Sequence, residues 1–110
     1  MEDVTWRSTG EGTVLTLRFD GELDAERVTH DPLGWAPDRE QVVVAAISSP
    51  YRLGAIDVRS PELTRIRTGV HPSDRGGSEL RLVFDLGSPR AGIATVRTLG
   101  DRVEILIRGR

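Results

Sequence analysis

Eight consecutive residues, Glu79-Leu-Arg-Leu-Val-Phe-Asp-Leu86, commit this chain to a sheet. Leu80, Leu82, Phe84 and Leu86 take every second position, with Arg81, Val83 and Asp85 between them. Side chains alternate across a pleat with period two, so the run reads as a strand with one apolar and one mixed face. Gly76-Gly77-Ser78 ahead of it and Gly87-Ser88-Pro89 behind it supply the bounding turns. On the mixed face stands Asp85. Its ordinary reading is an ion pair with a neighbouring arginine on a wet sheet surface, and its sharper reading is a direct role in function.

The run has an echo upstream. In Val14-Leu-Thr-Leu-Arg-Phe-Asp-Gly21, Leu15, Leu17 and Phe19 share one face and Thr16, Arg18 and Asp20 the other, so Phe19-Asp20 matches Phe84-Asp85. Each copy follows a short segment ending in Thr-Gly (Thr9-Gly10, Thr68-Gly69), and each precedes a further alternating segment, 40–47 and 102–108. Two diverged copies of one antiparallel unit point to a pseudo-symmetric sandwich, since a solenoid needs at least three repeats. The two phenylalanines should then meet in one core.

Taken in order, strands are expected at 4–7 and 14–20, around a turn at 8–12. The segment 23–30 alternates weakly and carries Asp24, Glu26 and Arg27, which fits a charge-protected edge strand. Pro32, Gly34 and Pro37 break any ladder over 31–38. The nearly continuous apolar run 41–47 reads as a strand covered on both faces. Further strands are expected at 55–59, 63–70, 80–86, 91–99 and 103–107, the last two joined by Gly100-Asp101. No stretch of ten residues has helical spacing. The expectation for residues 1–110 is a single all-β domain, an antiparallel β-sandwich of about eight short strands with an internal two-fold pseudo-repeat.

Composition narrows the partners. Hydrophobic residues are 37% and charged residues 29%, which suits a packed domain and not a disordered tail. The longest apolar run is strand-sized, so no membrane insertion is expected. Met1 is followed by Glu2 and Asp3, the opposite of a leader's basic start, and no signal peptide is expected here. Net charge is −2, whereas duplex-binding domains carry a strong basic excess, which disfavours nucleic acid. Every basic residue is arginine. Codon bias explains that by itself, although arginine's planar fork also suits bidentate carboxylate binding. With no cysteine, disulfide and thiolate chemistry are excluded.

Catalytic readings find little support. His30 and His71 are the only histidines, so a zinc site would need carboxylates from distant loops. No nucleophile elbow, phosphate-binding glycine loop or His-Glu-x-x-His occurs. Asp85-Leu-Gly-Ser88 resembles the Asp-Thr/Ser-Gly signature of dimeric aspartic proteases, but Leu86 cannot supply the supporting hydroxyl. A strand ending in a turn gives the same letters. The expectation is a non-enzymatic chain without cofactor or metal.

Leu63-Thr-Arg-Ile-Arg-Thr-Gly-Val-His71, a polar loop, Leu80-Arg-Leu-Val-Phe-Asp-Leu86, a proline and the closing Val103-Glu-Ile-Leu-Ile107 together resemble the second half of an AMIN domain. Leu15-Thr-Leu-Arg-Phe-Asp20 fits the first half, so the resemblance spans nearly the whole chain through short, mostly hydrophobic motifs. Members are non-catalytic β-sandwich modules of bacterial envelope proteins. They precede the catalytic domain of N-acetylmuramoyl-L-alanine amidases and occur in the periplasmic part of secretins. The resemblance implies peptidoglycan binding and a periplasmic location, or in the rival case a protein-interaction domain of a secretin-type assembly that accepts a partner strand at a sheet edge. One departure matters: the run Gln41-Val-Val-Val-Ala-Ala-Ile47 lacks the arginine and aspartate the family carries mid-domain.

A glycan-peptide polymer presents stem-peptide and lactyl carboxylates together with sugar faces. Arg65, Arg67 and Arg81 on an exposed face suit those carboxylates, with Asp85 as the fourth member of the candidate site. Cross-strand pairing within the sheet is the plainer role for the same arginines. Arg81 and Asp85 share a face but lie about 13–14 Å apart along the strand. Each therefore needs a partner on a neighbouring strand or a ligand, and Arg67 is the candidate partner for Asp85. Trp35 and Tyr51 suit stacking on a sugar ring, while Trp6 and Trp35 are expected to be buried at the sandwich rim.

Overall fold

The computed structural model describes residues 3–19, 21–32, 39–47, 54–72, 77–87 and 91–108. Nine strands lie among them: β1 (Asp3–Thr9), β2 (Gly12–Arg18), β3 (Val28–Pro32), β4 (Arg39–Ile47), β5 (Ala55–Asp57), β6 (Leu63–Pro72), β7 (Ser78–Leu86), β8 (Gly92–Leu99) and β9 (Arg102–Arg108). They form a four-stranded sheet in the order β1-β2-β9-β8 and a five-stranded sheet in the order β3-β4-β7-β6-β5. Every described pairing is antiparallel. The two sheets pack as a sandwich.

The period-two pattern decides what is inside. Leu15, Leu17, Val103, Ile105 and Ile107 on one sheet, and Val42, Val44, Leu63, Ile66, Leu80, Leu82 and Phe84 on the other, are fully buried. Phe19 and Phe84 belong to the same core cluster. Two polar ties also cross between the sheets. Thr13 on β2 is fully buried and its hydroxyl lies 2.9 Å from the Glu62 carboxylate and 2.8 Å from Ser60 Oγ. Glu40 on β4 accepts a hydrogen bond from the Ile93 N–H on β8 while its other oxygen meets His30 Nε2 at 2.8 Å.

Strand order carries the two-fold relation of the halves. The first hairpin of one half, β1-β2, lies beside the last hairpin of the other, β8-β9; β6-β7 lies beside β3-β4 in the same way. The registers agree as well. Leu15 faces Ile105 and Leu17 faces Val103 in one sheet, as Leu80 faces Val44 and Leu82 faces Val42 in the other. β5 has no counterpart among the described residues and is added outside β6. The Thr-Gly dipeptides do not correspond: Thr9-Gly10 sits at the β1-β2 turn, whereas Thr68-Gly69 lies within β6. With Leu15 matched to Leu80, the counterpart of Trp6 is Val70.

Several local expectations change. Residues 25–27 form a 3₁₀ turn, so the edge strand β3 begins at Val28 and runs through Pro32. Four polar or small residues, 24–27, offer no apolar face to hold a ladder. β4 is not covered on both faces: Val42 and Val44 are buried, but Gln41, Val43 and Ala45 are only half-buried on the outer side. Nothing layers over that side among the described residues. Trp6 is not buried at the rim; it faces Leu15 on the edge strand β1 and stays 41% exposed.

Candidate functional site

All four sequence-predicted site residues lie on the outer face of the five-stranded sheet. Register places Arg39, Asp85, Arg65 and Asp57 in one row across β4, β7, β6 and β5, with alternating charge. Arg39 Nε lies 3.0 Å from Asp85 Oδ1, an ion pair in which the N–H does not point at that buried oxygen. Arg65 turns away from Asp85 and donates through Nε to Asp57 at 3.0 Å. Asp85 Oδ2 instead accepts from Arg67 Nε at 3.0 Å, one step along β6. The expected Arg67–Asp85 pair is present.

Arg81 finds its partner on its own strand. Its Nε donates to Glu79 at 2.8 Å, two residues earlier on the same face, so the cross-strand neighbour expected for it is not used. The site is thus two groups: the Arg39–Asp85–Arg67 bridge with Arg65–Asp57 beside it, and the Arg81–Glu79 pair further along β7. Asp85 is the sheltered member, with 17% of its side chain exposed against 50% for Arg67 and 46% for Arg65. A carboxylate between two guanidiniums in a partly dry setting is held firmly, while the exposed pairs contribute only about 0.2–1 kcal/mol each.

The chemical consequence lies in which nitrogens are spent. Arg65 and Arg67 make their hydrogen bonds through Nε. A guanidinium has five donors, and the Nη1/Nη2 edge is the one that grips a carboxylate bidentately. That edge has no hydrogen-bond partner for Arg65 or Arg67 among the described residues. Among the described side chains, the ion pairs on this face join four arginines to three carboxylates. Arg39 was missed from sequence, because its position opposite Asp85 depends on the β4-β7 register.

The outer face of the four-stranded sheet is different. Two adjoining open grooves of about 530 and 580 Å³ share Val14 and Glu104 in their linings, with Thr16, Arg102, Leu106 and Leu99 around them. Ion pairs there are long: Arg97–Glu104 at 3.8 Å, Arg102–Asp101 at 3.7 Å and Arg108–Glu11 at 3.5 Å. At those separations and exposures they are readily screened. Trp35 and Tyr51, the stacking candidates, lie outside the described residues, as does Asp20. Comparison of the chain with protein-family models, with curated proteins and with solved structures found no match.

Proposed function

We propose that the chain is a non-catalytic module of the bacterial cell envelope that binds peptidoglycan and localises its parent protein in the periplasm. The AMIN-like motifs support this reading, and the sandwich agrees with the architecture they imply. The observation that carries it is the arginine pair Arg65 and Arg67, each fixed through Nε by a protein carboxylate and each with no hydrogen-bond partner on its bidentate edge among the described residues. Asp85 acts in this reading as the anchor that aims Arg67 and Arg39 outward. Stem-peptide carboxylates of the polymer are the ligands of matching geometry. An open, unwalled face suits a polymer that must be tracked along its length.

Co-sedimentation with insoluble sacculi tests the reading. At low salt the wild-type domain should pellet, and Arg67→Ala should weaken this more than Arg102→Ala on the opposite sheet. Binding should fall as salt rises, since the contacts are exposed ion pairs. If the wild-type domain stays in the supernatant, the reading fails and a protein-interaction role takes its place. Hydrolysis of sacculi, peptides or phosphoesters that Asp85→Asn abolishes would overturn the non-catalytic assignment.

A further inference from the structure

Arg65 and Arg67 stand two residues apart on the outer face of β6, about 6.5–7 Å from each other along the strand. Their anchors lie on opposite sides. β6 runs between β5 and β7, and Arg65 donates through Nε to Asp57 on β5 while Arg67 donates through Nε to Asp85 on β7. The two guanidiniums are therefore drawn apart, and their Nη1/Nη2 edges have no hydrogen-bond partner among the described residues. The other two arginines of the site are placed differently. Arg81 brings both Nε and Nη2 to one oxygen of Glu79, and Arg39 is the least exposed of the four.

A bidentate grip takes both oxygens of one carboxylate. Two such edges, drawn to either side of one strand, do not converge on a single carboxylate and call for two. We infer, resting on the peptidoglycan reading, that this face recognises a stem peptide through two free carboxylates on neighbouring residues, and rejects stems in which either is amidated. In a γ-linked stem the glutamate keeps its α-carboxylate, and a diamino diacid in the next position adds a second at the end of its side chain. Adjacent residues of an extended chain advance about 3.3–3.6 Å, and the γ-linkage and the side chain add further reach, so the pair spans the separation of the two arginines. An amide in place of either carboxylate presents an NH2 donor to a guanidinium that itself only donates. One edge then loses its partner while the other keeps it. The two holds are unequal: Asp85 is sheltered and also meets Arg39, whereas Asp57 is exposed. Arg67 is the firmer of the two.

Displacement of the full chain from insoluble sacculi at low salt tests this, with the synthetic tripeptide alanyl-γ-glutamyl-diaminopimelate as competitor. The free dicarboxylate should displace the protein, each monoamide should compete roughly fivefold less well, and the diamide should not compete. Arg65→Ala should erase the penalty for amidating one carboxylate, and Arg67→Ala the penalty for the other. Arg67→Lys keeps the charge without the planar fork and should lose the same discrimination as Arg67→Ala, with far-UV circular dichroism unchanged in all variants. Wild-type protein that never pellets defeats the peptidoglycan reading and this inference with it. Protein that pellets but is displaced equally by the free peptide and its diamide overturns the inference alone. So do two arginine variants that lose discrimination at the same carboxylate, or pelleted protein that no soluble stem displaces, since its carboxylates then come from separate stems.

Discussion

Arg67 holds Asp85 from one register step away: its Nε reaches Oδ2 at 3.0 Å although Val83 is the residue opposite it. Arg65, which does stand opposite Asp85, pairs with Asp57 on the far side. The outer charges are therefore linked strand to strand, with Asp85 as the only carboxylate in the row that serves two arginines. Asp85→Asn removes the charge between Arg39 and Arg67 and should cost about 1–3 kcal/mol. Arg67→Ala, on a half-exposed side chain, should cost less than about 1 kcal/mol. Urea unfolding of both variants decides the order, and a larger loss for Arg67→Ala would show that Asp85 is not the anchor.

Core and edge aromatics should behave oppositely. Phe84 is fully buried, so Phe84→Ala should lose about 3–5 kcal/mol, a large share of the roughly 5–15 kcal/mol that holds a domain together. Trp6→Ala, at a side chain 41% exposed, should lose far less. Equal losses in denaturant titrations would mean that Trp6 packs more tightly than its exposure indicates.

Gly12 opens β2 with φ +148°, a conformation that side chains rarely adopt, and a Cβ there would drive into the Ile107 carbonyl on β9. Gly12→Ala should therefore cost about 2 kcal/mol or more, by strain and by separating β2 from β9. Gly10→Ala, two residues earlier at the open hairpin tip, has nothing within 4 Å and serves as the control. Comparable melting temperatures for the two variants would refute the close approach.

Glu40 joins the sheets by accepting from the Ile93 N–H and meeting His30. Glu40→Ala leaves that backbone donor without its acceptor and should cost about 1–3 kcal/mol. Glu40→Gln keeps an oxygen for Ile93 and should cost clearly less. Amide hydrogen exchange gives a local readout: Ile93 should lose protection in the alanine variant while Ile105 keeps it. Unchanged protection at Ile93 would remove Glu40 from its role as a tie.

The fold was legible wherever one face is buried. Leu15, Leu17 and Phe19, like Leu80, Leu82 and Phe84, declare their inner side because every second residue must leave water. Boundaries set by backbone geometry were less visible, as in the 3₁₀ turn at 25–27 or the false match of Thr9-Gly10 with Thr68-Gly69. Of the candidate site, the common face of Arg65, Arg67, Arg81 and Asp85 followed from strand parity alone. Partner choice did not. Arg81 takes Glu79 on its own strand, Arg65 takes Asp57, and Arg39 enters through a register that only the three-dimensional pairing of β4 with β7 defines. Trp6 was misjudged because hydrophobicity says nothing about whether a strand lies at an edge.

The exchange of hairpins between halves governs how the chain can be made. Within each sheet the central partners come from different halves: β2 waits for β9, and β7 closes on β4. During synthesis, the first half emerges with Leu15 and Leu17 on a strand that has β1 on one side while its other neighbour, β9, is still to be made. Such pairing between distant segments places the domain among slow folders, on the order of milliseconds to seconds. The first sheet is therefore completed only once β9 has emerged, and a truncation before Val103 should leave β8 without its partner and β2 with β1 alone. A free half would find its missing strands only in its own twin, an arrangement from which a duplicated and fused chain of this topology follows naturally.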